Sequence, residues 1–520
     1  MPPSLYRKVG IAAVIMMASV FLSRLSGFFR LMVIAYIGGR SGDVDAYQMA
    51  FFIPEILNHM VASGFLSITF IPIFSRYLAE NRETQGWRVF SIVLTGFGSL
   101  LLLFIGIAYL FTPQLVGLVA QGRTDPVFRD NVIRMTRIII PAQFFFFTGG
   151  LFMAVQFAKE RFLIPALAPI LYNLGIISGG IFLSSRFGME GFSWGVLAGA
   201  LIGNFAVQYW GARRVGMKFT PVFDFKHPDL KKYIKLTLPL MFGLTMFFSM
   251  EVFKLFFGSY LPSGSIADLE YGLRTMMLLV AFFGQAVGVA SYPFMARLAT
   301  ENKLQEMNQL LNNTLRYLSL VIPFSVLLMV LRYEIVLILF QRGKFDATAT
   351  EHLAVVLIFL LVGAFALTAN TIVPRAFYAT QDTLFPAIYG TIAVLLSLPL
   401  YMIGLQIMGT NGVALAISLS CILQVTILYV LWNKRSNNAG SRSVYSFYAK
   451  MMGIASLIGI LLTWFRSVVL NWIDPSTLLG SLMMSALISS VFIIILLGAG
   501  YGLGIKEITE LANRLVKKIY

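Results

Sequence analysis

The chain has 520 residues, of which 58% are hydrophobic and 12% charged, with 46 Phe and 24 Met, and its mean hydropathy is +0.80. No soluble fold needs that much apolar surface, whereas a bundle of roughly 20-residue lipid-spanning helices does, so the chain reads as an integral membrane protein. The formal charge of +17 does not point to nucleic acid, because the basic residues sit in short loops between apolar runs and form no single patch.

At the N-terminus Arg7 and Lys8 precede an apolar run in the manner of a secretory leader. The run continues past Arg24 and Arg30 to about Ile37, too long and too charged for a cleaved signal, and reads as a retained first spanning helix. Apolar runs of spanning length follow in order, giving about fourteen helices near residues 9–37, 46–75, 89–112, 132–157, 162–184, 190–211, 233–260, 268–297, 310–331, 350–377, 384–406, 411–432, 448–467 and 477–503. Alternate connections differ in charge: one side collects clusters such as Arg76, Arg82 and Arg88, Arg213 and Arg214, and Lys231 and Lys232, and the other has few beyond Arg40, Arg123, Arg129, Arg186, Arg332, Arg342, Lys344 and Arg466. The positive-inside bias then places both termini in the cytoplasm. The single cysteine, Cys421, lies in an apolar run and excludes an intrachain disulfide. The last residues alternate Ile505, Ile508, Leu511, Leu515 and Ile519 with Lys506, Arg514, Lys517 and Lys518, the pattern of an amphipathic helix resting on an anionic inner leaflet.

The chain repeats itself. Phe70-Ile71-Pro72-Ile73-Phe74-Ser75-Arg76 returns as Ser291-Tyr292-Pro293-Phe294-Met295-Ala296-Arg297, an offset of 221 that also carries Phe157-Ala158 onto Tyr378-Ala379 and Pro165-Ala166 onto Pro386-Ala387. Gly195-Val196 returns at Gly412-Val413 with a slightly shorter offset. Six helices per half is an even number, so the halves enter from the same side and read as parallel repeats. The expected fold is all-α and polytopic: residues 1–215 as an N-lobe, 216–435 as a C-lobe, and 436–520 as two extra spanning helices with the amphipathic tail. Such a two-lobed bundle suits a transporter with a substrate cavity between the lobes and alternating access.

Polar groups inside the spans suggest the cargo. Arg24 and Arg30 lie on the first helix and Arg274 on the eighth, in different lobes, so these cations are placed to converge on one anion. A guanidinium at bilayer depth is costly unless compensated, and its planar fork suits phosphate oxygens. Pairing with Asp45, Glu55 or Glu251 for structure alone, or snorkelling to an interface, is the alternative. Ser23 and Gly27, beside Arg24, allow a neighbouring helix to approach closely. Glu55 and His59, four apart, form either a proton-responsive pair or a helix-packing hydrogen bond. His59, His227 and His352 are scattered, with no HExxH spacing, Gly-rich phosphate loop or GxxxxGK[ST] motif, so no enzyme, ATP-driven pump, metal site or cofactor is expected.

Ser23-Arg24-x-x-Gly27-Phe28-x-Arg30, Asp45-Ala46-Tyr47, Pro54-x-x-Leu57, Gly64 and Phe70-Ile71-Pro72 together resemble the opening signature of the MurJ (MviN) family. Ser263-Gly264-Ser265, Tyr271-x-x-Arg274, Phe340-Gln341-x-Gly343-Lys344-Phe345 and Ala376-Phe377-Tyr378-Ala379-x-Gln381-Asp382 resemble it further on. The resemblance implies a monomeric flippase in the bacterial cytoplasmic membrane. Its implied substrate is lipid II, the undecaprenyl-pyrophosphate-linked disaccharide-pentapeptide of peptidoglycan synthesis, handled among membrane lipids. It further implies that Arg24, Arg30 and Arg274 hold the pyrophosphate, that Asp45 is a functional acid near the outer end of the second helix, and that the last two helices form a groove for the tail. The alternatives are a flippase for another polyprenyl-linked oligosaccharide and a multidrug exporter of the same superfamily, which would carry unpaired carboxylates. The chain departs from the family at Asn58, beside His59, where an arginine is common, and at Ser63, Leu31 and Leu273, where acids are. Lys254, one turn from Glu251, is the candidate replacement for the missing charge, and a self-contained Glu251–Lys254 pair is the alternative.

Overall fold

The computed structural model describes residues 3–60, 66–243, 245–510 and 513. Ser63, Gly64 and the tail from Arg514 onward lie outside them. Among the described residues every regular element is helical, as expected where no water is present to satisfy backbone N–H and C=O groups. Among the described residues, eight helices are long and apolar enough to cross a membrane: Gly10–Gly38, Glu83–Leu110, Pro126–Ala158, Leu163–Phe187, Leu304–Val330, Leu384–Ser436, Ser441–Val469 and Leu478–Gly502. A ninth is made by Ala347–Leu361 with Ala364–Ala379, bent by 53°.

Where they are described, the fourteen expected runs fall largely on helix, and several of them are divided. The second comprises Gly42–Met49, Phe52–Met60 and Leu66–Ala79. The sixth and eighth are each interrupted by a π-helical turn, at Ala200–Ala206 and Ala281–Gln285. The eleventh and twelfth join around Gly409, whose φ of 56° reverses the chain. Fourteen crossings therefore require each divided run to cross as one.

The chain forms two compact units, Met1–Thr245 with Pro262–Ala267, and Met246–Leu261 with Asp268–Tyr520. The first extends beyond the boundary expected at residue 215, and its contacts give the reason. Asp229 accepts hydrogen bonds from Arg76 Nη2 at 2.8 Å and from the Tyr77 hydroxyl, and the Tyr233 ring meets Phe97 at 4.9 Å. The final two spans pack into the second unit, where Met451, Ile458, Met484 and Phe492 join Val321 and Val330 in one apolar cluster. The tail begins on protein rather than on a leaflet: Ile505 and Ile508 are buried in that cluster, and Glu507 pairs with Arg316 at 2.7 Å.

The repeat is written into the backbone as well. Left-handed residues occur at Asn81, Glu160, Gly188 and Gly216, and again at Asn302, Gln381, Gly409 and Asn437, each pair 221 residues apart. Three of these pairs end helices with the same six-to-one bond: Arg82 N to Tyr77 O and Lys303 N to Leu298 O, Arg161 N to Gln156 O and Asp382 N to Phe377 O, Met217 N to Ala212 O and Asn438 N to Asn433 O. This is the Schellman closure that a left-handed residue after a helix permits. Asp125 and Asp346, again 221 apart, cap the N-termini of matching helices.

In the first unit, glycines bring Leu163–Phe187 and Glu190–Gly199 into backbone contact. A Cβ on Gly179 would lie 2.5 Å from Gly195 Cα, and one on Gly175 would lie 2.4 Å from Gly199 Cα. In lipid, such small-residue faces supply the close packing that drives helix association. Gly179→Val is expected to cost on the order of 1–3 kcal/mol through overpacking, read as a lower unfolding midpoint in detergent. Gly106→Val, with nothing within 4 Å of its Cβ, should leave the midpoint unchanged.

Candidate functional site

In the first unit the helix carrying Arg24 and Arg30 is clamped to Leu163–Phe187. Ser19 Oγ donates to Ala166 O at 2.6 Å, and Asn173 Nδ2 donates to Ser23 O at 3.2 Å and Ser26 Oγ at 3.0 Å. A Cβ on Gly27 would stand 3.6 Å from Asn173 Nδ2. The neighbour that Ser23 and Gly27 admit is thus this helix, and the clamp runs from Ser19 to Gly27, on both sides of Arg24 and ahead of Arg30. Arg24 is exposed and Arg30 half-buried, and Arg30 Nε is buried with no hydrogen-bond partner among the described residues. Arg30 and Glu55 both act electrostatically on the Tyr172 phenol, so these three side chains share one polar region. Asn58 and His59 follow Glu55 on Phe52–Met60, both half-buried.

Asp45 is fully buried at the first turn of Gly42–Met49, which Ser41 caps through the Val44 N–H at 3.4 Å. Its carboxylate accepts N–H bonds from Gly264 at 2.7 Å and Ala267 at 2.8 Å, and a bond from Arg123 Nη1 at 3.0 Å. It thus caps, from a distant part of the chain, the helix that begins at Ser265. Arg123 is fixed in turn by the Phe128 ring, 4.5 Å from its guanidinium carbon. Asp45 therefore pairs with Arg123 rather than with a first-helix arginine.

In the second unit Lys254, 1% exposed, lies 2.5 Å from both Glu251 Oε1 and Glu270 Oε2. The other oxygen of Glu270 accepts from Arg274 Nε at 2.6 Å. Two acids and two bases cancel in this chain of contacts, and the Arg274 side chain is 53% exposed at its end. The helix holding Glu270 and Arg274 is anchored by Tyr271, which packs on Phe340 at 5.3 Å and Phe345 at 5.6 Å. At Gly272 a Cβ would come within 2.6 Å of Leu360 Cδ1. Among the described residues no three His, Cys, Asp or Glu side chains stand together to hold a metal ion.

Sequence reasoning missed three participants. Glu270 was legible, since it precedes Arg274 by one helical turn. Arg123 and Tyr172 were not, because nothing local ties them to Asp45 or Arg30.

Apolar helices in two units, interrupted within the spans and carrying buried ion pairs and arginines, define a polytopic membrane protein of the transporter class. A family model described as lipid II flippase MurJ matches residues 34–483. The chain belongs to the lipid II flippase MurJ family. It is 26% identical over 459 residues to the lipid II flippase MurJ of Burkholderia cenocepacia, covering 85% of this chain and 87% of that one. Its fold matches a solved structure titled lipid II flippase MurJ, inward closed conformation, with a TM-score of 0.74, 24% identity, and coverage of 92% and 98%. A multidrug resistance MATE family transporter of the MOP superfamily, in an inward-facing conformation, follows at a TM-score of 0.65 and 15% identity, with coverage of 79% and 94%.

Lys254→Met leaves Glu251 and the buried Glu270 sharing one cation, and the expected loss of stability is about 3 kcal/mol. Lys254→Met combined with Glu270→Gln should recover part of it. Denaturant unfolding of both variants in detergent checks this.

Proposed function

We propose that this chain moves lipid II from the inner to the outer leaflet of the bacterial cytoplasmic membrane, by alternating access and without chemical change to the lipid. The observation that carries this reading is the family match across residues 34–483. Arg24 and Arg30 of the first unit and Arg274 of the second supply guanidinium groups to the pyrophosphate, with bidentate geometry suited to its oxygens. Glu270 sets the orientation of Arg274, and Lys254 neutralises the charge left over on Glu251 and Glu270. Asn58 and His59 occupy the wall where relatives commonly have another cation and contact the polar headgroup. Asp45 holds the start of the helix that presents Arg274. The chain works as a monomer with both termini in the cytoplasm. The polyprenyl tail lies along the last two spans, where Leu457, Ile460 and Trp464 are exposed and match its chemistry.

The test is rescue of a cell depleted of its own lipid II flippase. Wild type is expected to restore growth, and Arg24→Ala and Arg274→Ala to abolish rescue at equal expression. A well-expressed wild type that fails to rescue overturns the lipid II assignment. Rescue by both arginine variants overturns the role of the guanidinium groups. Lys254→Ala is expected to reduce rescue, and undiminished rescue removes Lys254 from the site.

A further inference from the structure

Within the second unit lies a cavity of about 520 Å³ that the transport reading does not use. It sits beside a break in the backbone, where Asn370, Thr371 and Ile372 separate the helices Ala364–Ala369 and Val373–Ala379. At membrane depth non-helical backbone is tolerated only where it is buried in protein or lines a cavity. Here Asn370 and Thr371 line it.

On the wall, one buried oxygen and one half-buried guanidinium have no hydrogen-bond partner among the described residues. Arg375 is half-buried, its backbone N–H donates to Ile372 O at 3.0 Å, and among the described residues its guanidinium makes no ion pair or hydrogen bond. The groups that act on its charge are the phenols of Tyr292 and Tyr378. A guanidinium withdrawn from water in this way is costly until an anion compensates it. Asn370 donates through Nδ2 to Gln424 Oε1 at 2.9 Å, and its own Oδ1 is buried without a partner. The first group needs an anion and the second a hydrogen-bond donor. Most of the remaining wall is hydrocarbon, from Met250, Phe253, Met277 and Val280. The volume falls within the range of roughly 300–1,000 Å³ typical of small-molecule pockets.

We propose that this cavity binds a single-chain anionic amphiphile of the phosphate monoester class. The phosphate lies on Arg375, its remaining hydroxyl donates to Asn370 Oδ1, and the chain runs among Met250, Phe253 and Met277. The shared chemistry is a phosphate monoanion, and the source assigned here is a lipid headgroup rather than free phosphate.

The chain supplies its own reporter, because Cys421, its one cysteine, also lines the cavity. The full chain in phosphatidylcholine nanodiscs is treated with a small membrane-permeant methanethiosulfonate. Labelling of Cys421 is followed by intact mass, and bound dodecyl phosphate is counted by native mass spectrometry. Dodecyl phosphate is expected to bind at one equivalent and to slow labelling at least tenfold. Dodecanol should slow it less than threefold, and inorganic phosphate not at all. Arg375→Gln should lose both the bound equivalent and the protection, and Arg375→Lys should keep part of each. Leu367→Trp, which fills the chain end and leaves the arginine in place, should also prevent binding. A ligand-free labelling rate in the variants equal to wild type separates loss of the site from loss of the fold. Equal protection by dodecanol, or binding unchanged in Arg375→Gln, overturns the proposal. Protection by inorganic phosphate alone overturns the lipid source.

Discussion

In the hydrocarbon of a bilayer every backbone and charged group has to find its partner inside the protein, and that requirement shapes each part of this chain. It explains why every described regular element is helical and why helix ends are closed by left-handed residues and six-to-one bonds. It also explains why the deepest charges occur in groups. Asp45 has two backbone donors and an arginine, and Glu270 divides its two oxygens between a lysine and an arginine. A buried ion pair contributes little net stability, and removing one member is expensive. These clusters therefore fix where neighbouring groups point more than they add to the fold, and Arg274 is held through its Nε with its side chain 53% exposed.

The 221-residue duplication gives both units one structural grammar and leaves their chemistry free to diverge. Caps, prolines and helix-terminal arginines recur at the same spacing, at Pro72 and Pro293 and at Arg76 and Arg297. The polar residues between them do not. In the first unit Arg30 and Glu55 each act electrostatically on Tyr172, and the second places Lys254 between two glutamates. Positions that close a helix are constrained by backbone geometry alone, whereas positions facing a ligand follow the ligand. That is why the repeat is clearer in φ angles than in side chains.

Much of the fold was legible in the sequence because lipid imposes a simple code of long apolar runs and basic loops. The interruptions were harder to read. A π turn at Ala200–Ala206 or Ala281–Gln285 leaves no mark in hydropathy, since its residues are as apolar as their neighbours. The division of the compact units beyond residue 215 was not legible, because Asp229 and Tyr233 declare their allegiance only through partners about 150 residues away or on another helix. At the site, the arginines announced themselves by being charged where little else is. What orients them did not, apart from Glu270, one turn from Arg274. The Asp45 to Arg123 pair spans 78 residues, and the Asn173 clamp on Ser23 spans 150.

The glycine seam between Leu163–Phe187 and Glu190–Gly199 also bears on how the first unit is able to deform. Side chains packed like knobs can slip by one notch and re-seat, but two backbones about as close as a Cβ would be have no notch to move into. A one-residue shift would press Ser178, Trp194 or Val196 onto backbone where now there is only hydrogen on Gly179 or Gly195. This pair of helices is therefore a stiff strut. Compliance in the first unit belongs to its interrupted elements, the π turn at Ala200–Ala206 and the divided run that begins at Gly42, where hydrogen-bond registers already differ from the ideal and exchange at little cost.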